Sequence, residues 1–156
     1  MEFDPYFRDQ YPRIVAELDF ILGDTELARD VAQDAFTKQL VRWKQLSNYE
    51  KPGAWVRRVA LQLAFKSRRN VFRTFRLDDA GDLSAPDVHI ERTMDVRAAI
   101  RQLTKTQRTV IVLHYYRDLP VKEIAETLEA KEATVKVHLF QARARLAKIL
   151  IAYRPK

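Results

Sequence analysis

The sequence predicts an all-α protein made of two small helical domains, and three observations carry that reading. Apolar residues recur at spacings of three and four along most of the chain, the period of a helix face. Alternating apolar runs bounded by hairpin turns, the mark of strands, do not occur. The helical pattern is interrupted once, by an acidic stretch containing Gly81 and Pro86, and a domain boundary is expected there. The expected division is a first domain over residues 1–76, an acidic flexible linker over 77–93 and a second domain over 94–156.

The elements follow in order. Phe7, Tyr11, Ile14, Leu18 and Ile21 form one stripe on a first helix, which Gly23 ends and after which Asp24 caps the next. Leu27, Val31, Ala35, Leu40, Trp43 and Leu46 carry a second helix to about residue 46. Residues 47–53 read as a loop, with Pro52 opening a third helix that carries Trp55, Val56, Val59, Ala60 and Leu63 and runs to about Phe75. Trp55 lies on the apolar stripe and is expected in the core. After the linker come a short helix near 94–102 and a capping box, Thr104 to Gln107, which starts a helix with Val110, Ile111, Leu113 and His114. Two further helices, about 120–128 and 132–150, close the chain.

Composition excludes several function classes. The chain of 156 residues has no cysteine, so disulfides, thiol nucleophiles and cysteine-ligated zinc are ruled out. Three glycines leave no glycine-rich phosphate loop. His89, His114 and His138 are scattered, and no nucleophile–base pair or metal-ligand cluster is visible, so no catalysis, cofactor, metal or small-molecule substrate is expected. The acidic opening Met-Glu-Phe-Asp-Pro lacks the basic stretch of a secretory leader, and no apolar run approaches the ~18 residues of a membrane span. A cytoplasmic location without membrane insertion is expected.

The net charge of +7 is unevenly spread. Residues 1–50 carry −4, residues 51–76 carry +8 with no acid at all, residues 77–95 carry −5 and residues 96–156 carry +8. Two basic blocks separated by an acidic one point to charged macromolecular partners. Within the last block, Val121, Ile124, Ala125 and Leu128 share one side of a short helix, and three residues separate it from a second helix beginning at Glu132. Small Ala125 permits a close crossing, with Ile124, Leu128, Val135 and Leu139 as shared core. This is helix-turn-helix spacing, whose second helix enters the DNA major groove, and Lys131, Lys136, Arg143, Arg145 and Lys148 suit that partner.

With both halves in view, the chain resembles the extracytoplasmic-function (ECF) group of sigma-70-type sigma factors. The first half carries Gly23-Asp24 and then Ala28-Arg29-Asp30-Val31-Ala32-Gln33-Asp34-Ala35-Phe36, similar to the family's region 2.2. The second carries Glu123-Ile124-Ala125, Thr134-Val135-Lys136 and Ala142-Arg143-Ala144-Arg145-Leu146, similar to region 4.2. The resemblance implies a region 2 helical bundle and a region 4 helix-turn-helix, with core RNA polymerase, promoter DNA and an anti-sigma factor as partners. It makes Asp30, Gln33 and Asp34, with an exposed Phe36 as apolar anchor, the dock for a helical coiled coil of the polymerase. Asn48, Tyr49 and Lys51 fall where the family reads a flipped minus-ten base, and Arg57, Arg58, Arg68 and Arg69 would grip flanking phosphates. Lys136, Val137, Phe140 and Gln141 are the groove-facing candidates for the minus-thirty-five element, with Thr134 near a phosphate. For Val137 and Phe140 the competing expectation is burial against the second helix.

Several positions depart from the family pattern. Glu129 stands at the usual turn glycine, which implies a wider turn or a left-handed residue. Lys131 replaces the usual Ser cap, and Val137, His138 and Gln141 replace commoner Ser and Arg residues, implying an atypical promoter. Gln62 and Lys66 replace Asn and Asp, and Arg29 replaces Glu. The competing readings are a stand-alone helix-turn-helix repressor, which needs only the second half, and a pure protein-interaction module.

Overall fold

Residues 1–65 and 96–152 are described by the computed structural model, and all their regular structure is helical. The chain divides into two units, Met1–Val71 and Phe72–Lys156. The expected linker, Arg68, Arg69, Lys66, His89 and the last turns of the third helix lie outside the described residues.

In the first unit, α1 (Phe3–Leu22) ends at Gly23, whose φ of 71° lets its N–H return to the Asp19 carbonyl at 2.8 Å. Asp24 then caps α2 (Thr25–Val41) by accepting from the Leu27 N–H at 3.0 Å. The expected second helix breaks at Arg42 and resumes as one turn, α3 (Trp43–Leu46). Pro52 opens α4 (Pro52–Ala64), where a missing N–H costs nothing.

α2 packs on both α1 and α4. Its buried face is Ala28, Val31, Ala32, Ala35, Phe36 and Gln39, whereas Leu27 and Leu40, expected on the apolar stripe, are exposed. Small side chains dominate the N-terminal part of that face, and rings cluster toward its C-terminal part. Phe36 meets Phe7 edge-on at 5.2 Å, Trp43 lies 4.8 Å from Tyr6 and 5.2 Å from Phe3, and the Trp43 indole N–H donates to the Met1 carbonyl.

Two buried polar contacts tie the three long helices. The Arg57 guanidinium of α4 grips Glu17 of α1 through Nε and Nη2, at 3.0–3.2 Å. Gln39 Nε2 donates to the Tyr6 hydroxyl at 2.9 Å and to the Pro52 carbonyl at 2.8 Å, joining α1, α2 and the start of α4. Burial raises the pKa of the Tyr6 phenol above its ordinary value, against the lowering effects of the Gln39 hydrogen bond and Arg57.

The second unit opens with α5 (Val96–Arg101) and α6 (Lys105–Ile111), started by a complete capping box. Thr104 Oγ1 accepts from the Gln107 N–H, and Gln107 Oε1 accepts from the Thr104 N–H, each at 3.1 Å. A π-turn (Val112–Tyr116) continues α6, and His114 Nδ1, 2.9 Å from the Leu119 carbonyl, helps close the following loop. α7 (Val121–Leu128) and α8 (Glu132–Ala152) form the helical hairpin, with Ile124, Ala125, Leu128, Val135 and Leu139 buried as expected. Glu129 adopts the left-handed conformation, φ 53°, and the turn is a full Schellman motif. The Ala130 N–H reaches the Ala125 carbonyl at 2.9 Å and the Glu129 N–H reaches that of Glu126 at 3.4 Å.

Removing the acid of the buried pair by Glu17→Ala leaves Arg57 desolvated and uncompensated. It lowers stability in urea titrations by about 3–5 kcal/mol, and most of that returns in the double variant Glu17→Leu, Arg57→Met. Glu129→Gly relieves the left-handed strain, and a rise of about 0.5–1 kcal/mol is expected in the same measurement.

Candidate nucleic-acid interface

The outer side of α2 carries Asp30, Gln33 and Asp34 together, all exposed, in the middle of the helix. Leu27 near the start of the helix and Leu40 and Val41 at its end are exposed as well, so aliphatic groups flank the acidic patch on both sides. Carboxylates flanked by exposed aliphatic groups can pair with guanidinium groups and bury apolar surface at once. Phe36 is not part of it. The ring is 2% exposed, locked among Tyr6, Phe7 and Tyr11, so the expected exposed anchor is a core residue. Six residues after Asp30 and two after Asp34, it lies well round the helix from both acids.

The loop after α3 presents Asn48, Tyr49 and Lys51 to solvent. Asn48 Nδ2 donates to the Lys44 carbonyl at 3.3 Å, and the Tyr49 N–H reaches the Leu46 carbonyl at 3.1 Å, so the loop is folded back on α3 with the Tyr49 ring outermost. Its far end is fixed by Gln39 through the Pro52 carbonyl. Arg57 is corrected: 6% exposed and turned inward onto Glu17, it is unavailable to phosphate. Arg58 is half-buried and on another side of α4.

A groove in this region escaped the sequence reading. Lys38 and Val41 of α2, Arg42 just after it, and Trp55, Val59, Gln62 and Leu63 of α4 line an open space of about 510 Å³. Trp55, expected in the core, is half-buried and forms one wall of it. Two cations beside an indole face suit a stacked base and its phosphate. Trp55 is half-buried because it stands at the edge of the α4 stripe, a difference of one helical position that periodicity does not resolve.

On α8, Lys136, Val137 and Phe140 are exposed, Val137 by 46% and Phe140 by 71%, which decides against their burial on α7. Thr134 is corrected: it is buried beside Val135 and cannot offer its hydroxyl to a phosphate from the outer face. Gln141 is half-buried, with Oε1 enclosed and without a hydrogen-bond partner. Tyr115, at the end of the π-turn, stacks under Arg143 at 5.4 Å and accepts a hydrogen bond from its Nε. On α6, burial first and the neighbouring Arg101 charge second lower the pKa of the Arg108 guanidinium. Among the described residues no group of His, Asp and Glu is placed to hold a metal ion, and no helix is long and apolar enough to cross a membrane.

The family model for sigma-70, region 4, matches residues 93–146. The chain is 24% identical over 159 residues to the RNA polymerase sigma-E factor of Streptomyces coelicolor, covering 97% of this chain and 88% of that one. It is 30% identical over 131 residues to the ECF RNA polymerase sigma factor SigL of Mycobacterium tuberculosis, covering 78% and 73% respectively. The chain belongs to the ECF family of RNA polymerase sigma factors. Its fold is that of the sigma factor RpoE of Bartonella quintana, solved in complex with the anti-sigma factor NepR, with a TM-score of 0.72 at 19% identity over 97% of this chain and 98% of that one. As an ECF sigma factor it is a transcription initiation factor of RNA polymerase. The similarity runs through both units, whereas a stand-alone repressor would leave the first without a task.

Because Phe36 is core, Phe36→Ala is a stability variant of this sigma factor: thermal and urea unfolding should show a loss of about 3–5 kcal/mol.

Proposed function

We propose that the three exposed surfaces divide the work of initiation: α2 docks core RNA polymerase, the loop at residues 47–51 with the α2–α4 groove engages the minus-ten strand, and α8 reads the minus-thirty-five element. The observation that carries this is the two-sidedness of α2. Its inner face is packed by alanines and Phe36, while Asp30, Gln33 and Asp34 stand together in solvent, where a folded domain has no use for them.

At the minus-ten element, Tyr49 offers a ring, Asn48 an amide and Lys51 a charge, while Trp55 with Lys38 and Arg42 receives a further base. Arg58, together with Arg68 and Arg69 in the sequence, supplies phosphate contacts that position without specifying sequence. On α8, Lys136 is the candidate donor to guanine acceptors and Val137 and Phe140 pack on thymine methyls. Gln141 pairs with adenine after its amide swings out. Residues 77–93 link the two DNA-reading domains, and the net −5 charge of residues 77–95 suits a basic nucleic-acid channel. The protein works in the cytoplasm without chemistry or cofactor of its own, and an anti-sigma factor holds it inactive.

The test is co-elution with core polymerase on gel filtration. Wild type should co-elute, and Asp30→Ala, Gln33→Ala, Asp34→Ala should elute alone while melting within about 1 kcal/mol of wild type, since all three positions are exposed. Retained co-elution by the triple variant would place the dock elsewhere.

A further inference from the structure

Gln39 stands at 0% exposure on the inner face of α2, beside alanines, Val31 and Phe36. Its Nε2 donates to the Tyr6 hydroxyl at 2.9 Å and to the Pro52 carbonyl at 2.8 Å, while its Oε1 is enclosed without a hydrogen-bond partner. The amide cannot be turned round, because Oε1 would then face a carbonyl that only accepts. As a stabilising device this is poor. The Pro52 carbonyl lies in the first turn of a helix, which supplies it with a backbone donor. An enclosed amide oxygen without a partner costs free energy that an apolar side chain of the same length would not. What the amide does, and methionine could not, is hold the Pro52 carbonyl in one place.

That carbonyl is the far post of the loop at residues 47–51. No side chain caps α4, Pro52 brings no N–H and Gly53 brings no side chain, so the anchor of this turn comes from α2. The near post is α3, to which Asn48 is tied through Nδ2 at 3.3 Å and Tyr49 through its N–H at 3.1 Å. Only Glu50 and Lys51 lie between Tyr49 and Pro52, so a shift of that carbonyl reaches the Tyr49 ring with little slack. Tyr6 serves both posts. Its ring lies 4.8 Å from Trp43 of α3, and its hydroxyl receives the Gln39 amide.

We infer that Gln39 is a positioning residue for promoter opening: buried and out of reach of DNA, it sets through the Pro52 carbonyl where Asn48 and Tyr49 meet the minus-ten base, and so how strictly that base is selected. This role rests on the reading of residues 47–51 as the minus-ten loop. Strand affinity as a whole comes from phosphates and tolerates a displaced loop, whereas base selection needs donors and ring held to within about 0.5 Å.

The two quantities can be measured separately. Holoenzyme reconstituted with wild type selects a single strand from a random pool, and that strand is then varied one base at a time. The position at which Asn48→Ala, Tyr49→Ala loses discrimination is the base read by the loop. Wild type should prefer the selected base there by at least about tenfold. Gln39→Met should reduce the preference to about threefold or less, with affinity for the wrong-base strand within about twofold of wild type. The same variant should melt within about 5 °C of wild type. Tyr6→Phe removes the other hydrogen bond of the same amide, keeps the ring on Trp43, and should keep the preference. If Gln39→Met does not fold, Gln39→Met, Tyr6→Phe leaves no hydroxyl without its partner and should show the same loss of preference. Full preference in the Gln39 variants, with the loop variant defective, overturns the positioning role and leaves the loop reading standing. Right- and wrong-base affinities that fall together with the melt overturn it, as does a loss of preference in Tyr6→Phe equal to that in Gln39→Met, because Gln39 is then only a packing residue. Discrimination that Asn48→Ala, Tyr49→Ala loses at no position overturns the loop reading and the role of Gln39 with it.

Discussion

The first unit depends on how α2 is buried. Ala28, Ala32 and Ala35 form the small part of its inner face and Phe36 and Gln39 the large part, and α1 and α4 both pack against it. The aromatic cluster of Phe3, Tyr6, Phe7 and Trp43 gathers beside the large part, and α3 turns off the line of α2 where the rings meet it. Gln39, fully buried, converts the same position into an anchor for the start of α4. The loop at residues 47–51 is therefore suspended between α3 and a carbonyl held from within the core. Such a loop can present a ring and an amide with little ordering left to lose on binding.

Much of this was legible in the sequence, and the failures share a cause. The stripe of α1, the Gly23 stop, the Asp24 cap, the Thr104 capping box and the α7–α8 core all rest on local chemistry, and each is found where expected. Hydrophobicity alone points to the wrong face of α2. Leu27 and Leu40 are larger and more apolar than Ala28 and Ala32, yet the alanines are inside, since close packing selects for size as well as polarity. Phe36 was placed outside by the same error in phase. Arg57 and Gln39 could not have been found by periodicity at all, because a buried polar side chain looks like a surface one until its partner, Glu17 or Tyr6, is brought across from another helix.

The second unit solves a different problem, fixing the angle between α7 and α8 without the turn glycine. Glu129 accepts the left-handed conformation and the Schellman bonds of Ala130 and Glu129 close the helix end regardless of the side chain. The strain is tolerated because Ile124, Leu128, Val135 and Leu139 over-determine the crossing from beneath. At the opposite end of α6, the π-turn shifts the register by one residue and brings Tyr115 under Arg143. A π-turn of this kind marks a place where an ordinary helix would have aimed a side chain elsewhere. Here the residue re-aimed is an aromatic that holds a cation beside the outer face of α8.

α2 and α8 thus obey one rule. Each is buried along a narrow strip that fixes its position, and each carries on the opposite side groups that folding does not need. In α2 the surplus is acid and amide, which cost nothing in water and suit guanidinium partners. In α8 the surplus is apolar and cationic. Exposed Phe140 and Ile151 are a liability for a free protein, since apolar surface of that kind favours association. Basic flanks limit self-association by repulsion while leaving the face open to polyanions. The charge pattern that makes this face safe in isolation therefore also selects what covers it: a partner that brings negative charge to Lys136, Arg143 and Lys148.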